Sequence, residues 1–134
     1  MAEQFQFDLV SPERRLASIG ASEVHIPAAA GDMTAMAGHE PTITTLRPGF
    51  LRAETTDGTK SYIVTGGFAE ISGSSVTILA ERAIPVAEVD DTLLGQIIEE
   101  ARELAEAALP EDKDVAEKNL ADVMMLQDAV RTGH

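Results

Sequence analysis

From Phe5 onward apolar and polar residues alternate, with Phe5, Phe7 and Leu9 on one side and Gln6 and Asp8 on the other. A period of two is that of a half-buried β-strand. Comparable runs follow at SEVHIP, TITTL, FLRAET, SYIVT, GFAEI and SVTILA, separated by AAAGD, RPG, DG, GG and SGS. About eight short strands with close turns predict an antiparallel sandwich or barrel. Gly66-Gly67 marks a strand connection or bulge that needs unusual backbone angles.

Beyond Ala80 the period changes. AIPVAEVDD has the texture of a linker, which puts a boundary between Glu81 and Asp90. We take residues 1–86 as a β-sandwich domain and 87–134 as a helical hairpin domain. In DDTLLGQIIEEARELAEAAL, positions Leu93, Leu94, Ile97, Ile98, Ala101, Leu104, Ala105 and Ala108 recur at helical spacing. Asp90 or Asp91 can cap this helix, and Pro110 ends it. A second helix is predicted over DKDVAEKNLADVMMLQDAV, with Asp114 and Glu117 spaced as a capping box and Ala116, Leu120, Val123, Met124 and Val130 as its stripe. The short PEDK connection makes the two helices antiparallel neighbours. The fold class is therefore mainly β plus α.

Composition narrows the partners. Aromatic residues make up only 4% of the 134, with no Trp, so base-stacking platforms for nucleic acid are not expected and the core must be built mainly from aliphatic side chains. A net charge of −13 repels phosphate backbones and anionic lipid surfaces, and favours partners with basic surfaces. The charge is uneven: residues 90–134 carry 12 acids and 4 bases, against 11 and 6 in residues 1–89. With no cysteine, disulfides and thiolate chemistry are excluded. MAEQFQFDLV has no basic region followed by an apolar run, so no signal or transit peptide is expected. No segment approaches the roughly 18 apolar residues of a membrane span, so no direct membrane insertion is expected.

No constellation looks catalytic. His25 lies in an alternating strand, His134 is a terminal residue expected to be disordered, and His39 lacks the second histidine of a zinc-protease helix. Ser72, Ser74 and Ser75 form a turn cluster without a nucleophile elbow. The acidic pairs Asp90-Asp91 and Glu99-Glu100 are explained as solvated helix charge. No metal and no cofactor are called for. What is left is the surface of GDMTAMAGHEP, an exposed loop in this reading, offering Asp32, Met33, Met36, His39 and Glu40. Its methionines either make adaptable outside contacts or plug the core.

Four segments together resemble a known family: FDLVSPERRL, GDMTAMAGHEPTITTLRPGFLR, YIVTGGFAEISGSSVTILAERAI and the Ala/Glu-rich hairpin after them. Their order and spacing are similar to the epsilon subunit of the rotary F-type ATP synthase over nearly the whole chain. The resemblance implies a β-sandwich of about ten strands before a two-helix domain. It implies a non-catalytic subunit of the central stalk that binds the gamma subunit along one side of the sandwich and the polar loops of the c-ring at one end. Such a subunit couples proton-driven rotation to ATP synthesis at the catalytic beta subunits. By position, Asp32, Met33, His39 and Glu40 correspond to the c-ring interface, and Ile43, Thr44, Thr45 and Leu46 to the gamma interface. Basic groups on the c-ring loops would then meet Asp32 and Glu40.

The resemblance also implies the beta subunits as a partner that the hairpin could reach. Relatives that inhibit ATP hydrolysis with their C-terminal helices use basic residues there, whereas residues 111–131 here hold six acids against Lys113, Lys118 and Arg131. Relatives that bind ATP carry an Asp and an Arg-Ala pair where this chain has EVDDTLLGQ. The expectation is a coupling subunit with weak or no self-inhibition, peripheral on the cytoplasmic face of a bacterial inner membrane. The alternative is a free-standing β-sandwich binding or regulatory module with an acidic helical hairpin.

Overall fold

The computed structural model describes residues 3–131, and the expectation for His134 falls outside them. The strands are β1 (Phe5–Val10), β2 (Arg15–Ala28), β3 (Gly31–Met36), β4 (Thr42–Thr45), β5 (Gly49–Thr55), β6 (Gly58–Val64), β7 (Gly67–Ile71), β8 (Ser75–Ala80) and β9 (Ala83–Pro85). Two helices follow, α1 (Asp91–Ala107) and α2 (Lys113–Arg131). The described residues thus hold nine strands where the resemblance implied about ten. Three of the assignments correct the alternation pattern. RLASIGA is the first half of β2, GDMTAM is a strand and not a loop, and Ala83–Pro85 pairs with β6 instead of serving as linker.

The strands pair in the order β4-β7-β8-β1-β2-β5-β6-β9, with β3 added to β2. All pairs are antiparallel except β1 with β8, which run parallel. β2 joins two leaves. Its first half pairs with β1 and its second with β5 and β3, and the β2–β5 register shifts between Ala21 and Glu23. A register shift of this kind bends a strand and increases its twist. β4 and β9 end the path, a single bridge between Ala28 and Leu46 ties the end of β2 to the residue after β4, and the two leaves form a sandwich over one core. Phe7, Leu9, Ile71 and Ile78 of one leaf share that core with Val24, Ile26, Leu51 and Val64 of the other. Each such buried side chain contributes about 1.5–3 kcal/mol.

Turn chemistry sets the register. At Gly67 φ is +115°, and a Cβ there would stand 2.0 Å from the Leu79 carbonyl oxygen, so only glycine fits where β7 starts. The Asp57-Gly58 turn closes the β5–β6 hairpin, with the Thr55 hydroxyl donating to the Gly58 carbonyl at 2.7 Å.

A second compact unit begins at Ala87. Asp90 is the N-cap of α1, its extended backbone letting the carboxylate accept from the Leu93 N–H at 2.8 Å. Leu94, Ile97, Ile98, Ala101 and Ala105 are buried, as the spacing predicted, but Leu104 is exposed. Asp114 does not cap α2. Pro110 starts a 3₁₀ turn that runs directly into the helix at Lys113, leaving Asp114 in its first turn, where its charge suits the helix dipole. Lys113 anchors the connection by donating from Nζ to the Ala105 carbonyl at 2.7 Å. The buried residues of α2 are Val123 and Leu126, whereas Met124 is exposed.

Candidate functional site

Strand alternation decides what β3 offers. Asp32, Thr34 and Met36 face out, while Ala35 is buried and Met33 is half-buried against the core. One methionine therefore plugs the sandwich and the other reaches solvent. β3 pairs only with β2, so its outer side is a sheet edge.

The four residues assigned to the c-ring divide between the two ends of this edge strand. At its start the Asp32 carboxylate forms an ion pair with the Arg47 guanidinium, whose other nitrogen donates to the Ala28 carbonyl at 3.5 Å. The Arg47 backbone N–H donates to the Pro27 carbonyl at 3.0 Å, so this cation is fixed to the β2–β3 turn. Beyond the far end, the Gly38 N–H donates to the Gly73 carbonyl at 2.9 Å and the His39 N–H to the Met36 carbonyl at 3.1 Å. Gly38 has φ +84°, a value that lets the chain turn there. Nδ1 of His39 lies 2.7 Å from the Glu40 carbonyl oxygen. A carbonyl only accepts, so Nδ1 carries the proton, and in the neutral ring Nε2 is left as an acceptor. Glu40 is exposed. Asp32 and Met36 are four residues apart on an extended strand, roughly 13 Å at about 3.3 Å per residue.

The residues assigned to gamma also divide. Ile43, 73% exposed, and Thr45 point outward, Thr44 is half-buried, and Leu46 is buried. The Leu46 N–H donates to the Gly67 carbonyl at 2.9 Å, which ties the end of β4 to the start of β7. Register then extends the outward face across four strands. Thr45 lies opposite Phe68, Phe68 opposite Leu79, and Leu79 beside Val10. Phe68 is 55% and Leu79 50% exposed, so with Ile43 an apolar surface runs over β4, β7, β8 and β1. The next row begins with Ile43, opposite Glu70, and is polar from there on through Glu70, Thr77 and Asp8. The sequence pattern does not single out Phe68 and Leu79. Their signal is the loss of alternation in GFAEI and SVTILA, where inward Ala69, Ile78 and Ala80 stand next to outward residues that are also apolar.

On β6, burial pushes the Tyr62 phenol above its ordinary 10.0. No group of three or more metal-ligating side chains occurs among the described residues. His25, at 3.5 Å from Glu23 and 3.1 Å from Thr34, sits on the polar face of β2.

The family model for the ATP synthase Delta/Epsilon chain, beta-sandwich domain, matches residues 4–86. A protein of Cereibacter sphaeroides named ATP synthase epsilon chain 1 is 58% identical over 134 residues, covering 100% of both chains. The chain belongs to the ATP synthase epsilon-chain family. An epsilon chain from another Cereibacter sphaeroides strain is 60% identical over 127 residues, 95% of this chain and 96% of the relative. Among solved structures, this epsilon-family chain is similar to a chain of the Euglena gracilis mitochondrial ATP synthase, in an OSCP/F1/c-ring assembly. The TM-score there is 0.71 at 28% identity, covering 95% of this chain and 81% of that one. No helix of the epsilon-family chain, among the described residues, is long and apolar enough to cross a membrane.

Proposed function

We propose that this epsilon-family chain is a non-catalytic central-stalk subunit of a proton-translocating ATP synthase, coupling c-ring rotation to ATP synthesis. The full-length likeness to epsilon chains, and to a chain of an F1/c-ring assembly, supports that reading over a free-standing module. In this role the gamma subunit docks on the outer face of β4, β7, β8 and β1. The observation that supports it is the row Thr45, Phe68, Leu79 and Val10 with Ile43 beside it, an apolar surface of the kind that marks a protein contact. Thr44 and Leu46 support β4 from within.

The c-ring contact runs along the edge of β3, because Asp32 and His39-Glu40 lie at its opposite ends and Met36 is exposed between them. Arg47 already neutralises Asp32, so Glu40 is the carboxylate that meets a basic group of a c-ring loop. The subunit is peripheral, on the cytoplasmic face of a bacterial inner membrane.

Phe68→Asp tests the gamma face. A carboxylate in the middle of a desolvated contact should cut co-purification with gamma at least tenfold, about 1.4 kcal/mol or more. Because Phe68 is half outside already, the circular dichroism of the isolated chain should be unchanged. Full retention of gamma would overturn the assignment.

A further inference from the structure

The hairpin has an apolar end that the coupling role does not use. Leu104 stands one heptad after the buried Ile97, and a heptad on an α-helix drifts only about 20°. It therefore continues that buried line, yet it is 65% exposed. Val115 stands eleven residues, about three turns, before the buried Leu126 on nearly the same face of α2. It is 73% exposed. Leu109, in the connection itself, is 60% exposed. All three lie within a turn or so of the link between α1 and α2, where both apolar stripes run on without cover.

Charge at this end is mostly negative. Residues 99–117 carry eight acids and two bases. Both bases are engaged: Lys113 donates to the Ala105 carbonyl, and Arg102 pairs with Glu99 at 3.7 Å. A second copy of the chain, at net −13, would be repelled from such a surface, as would an anionic membrane.

We propose that the connecting end of the hairpin docks a cationic, amphipathic segment of another protein chain, its apolar side covering Leu104, Leu109 and Val115 and its basic side facing the acidic rim. This rests on the chain's place in the stalk but not on the gamma or c-ring assignments. Hydrophobic anchors inside a charged rim give such contacts both affinity and register.

The test places a photoreactive benzoylphenylalanine at Val115 in the assembled complex and maps the adduct by mass spectrometry. One dominant adduct is expected, on a segment of another subunit with net positive charge. Glu103→Lys with Glu106→Lys, which puts cations near the C-terminal end of α1 where the helix dipole favours them, should lower its yield at least tenfold, and so should Leu104→Ser. These positions are exposed, so hairpin helicity should be unchanged in the variants. Gamma retention in the same sample keeps failure of this contact distinct from failure of the stalk reading. No adduct, an adduct on residues 3–86 of the chain itself, one on an acidic segment, or a yield insensitive to charge reversal would each overturn it.

Discussion

Asp32 and Glu40 look alike in sequence, one acid at the start of β3 and one beyond its end, and they differ in what they touch. Asp32 is held by Arg47, itself tied to the β2–β3 turn, so replacing it with arginine sets two guanidinium groups side by side. Asp32→Arg should lower the thermal stability of the isolated chain by roughly 1 kcal/mol, the upper end for an exposed ion pair. High salt should recover most of that loss. Glu40→Arg should leave stability within about 0.5 kcal/mol, as exposed substitutions do, and impair proton pumping in the reconstituted complex. Equal melting of both variants would show that the Arg47 pair contributes nothing. Normal pumping by Glu40→Arg would remove that carboxylate from the c-ring contact.

At the scale of elements, the helices were legible and the sheet only partly so. Asp90 as cap and the apolar spacing of Leu94, Ile97, Ile98 and Ala101 place α1 directly, because capping and a 3.6-residue period are local signals. β3 was not legible as a strand: its inward positions are only Met33 and Ala35, and its turn, AAAG, resembles loop. Nor could alternation say which residues of GFAEI and SVTILA face out, since a sheet face reserved for a partner is apolar on both sides. The division of the candidate site along β3 follows from tertiary pairing alone. One local signal carries a stability consequence. Gly95 lies inside α1 with nothing within 4 Å of the point an alanine Cβ would occupy, so alanine meets no obstacle there. Gly95→Ala should stabilise the hairpin by about 0.5–1 kcal/mol through helix propensity and a less entropic unfolded chain. Hydrogen exchange of the α1 amides should slow by roughly twofold to fivefold, and unchanged exchange would mean that α1 does not limit hairpin opening.

For the whole molecule, the uneven charge bears on regulation. The relatives that the sequence resembles use a basic hairpin against an acidic segment on beta for self-inhibition, whereas residues 111–131 here present six acids against three bases. Two like charges 4 Å apart repel by about 4 kcal/mol at an effective dielectric of 20, so even a few close acid pairs outweigh a modest apolar gain. On this charge argument an extended, inhibitory position is expected to be disfavoured. Removing residues 90–134 should accordingly change ATP hydrolysis by the reconstituted complex less than about twofold, a difference of roughly 0.4 kcal/mol in barrier. Lowering ionic strength should leave that ratio unchanged, since no attractive hairpin–beta pairing is being strengthened. A tenfold rise in hydrolysis on truncation would show that the acidic hairpin inhibits despite its charge, through contacts that are apolar or made with another subunit.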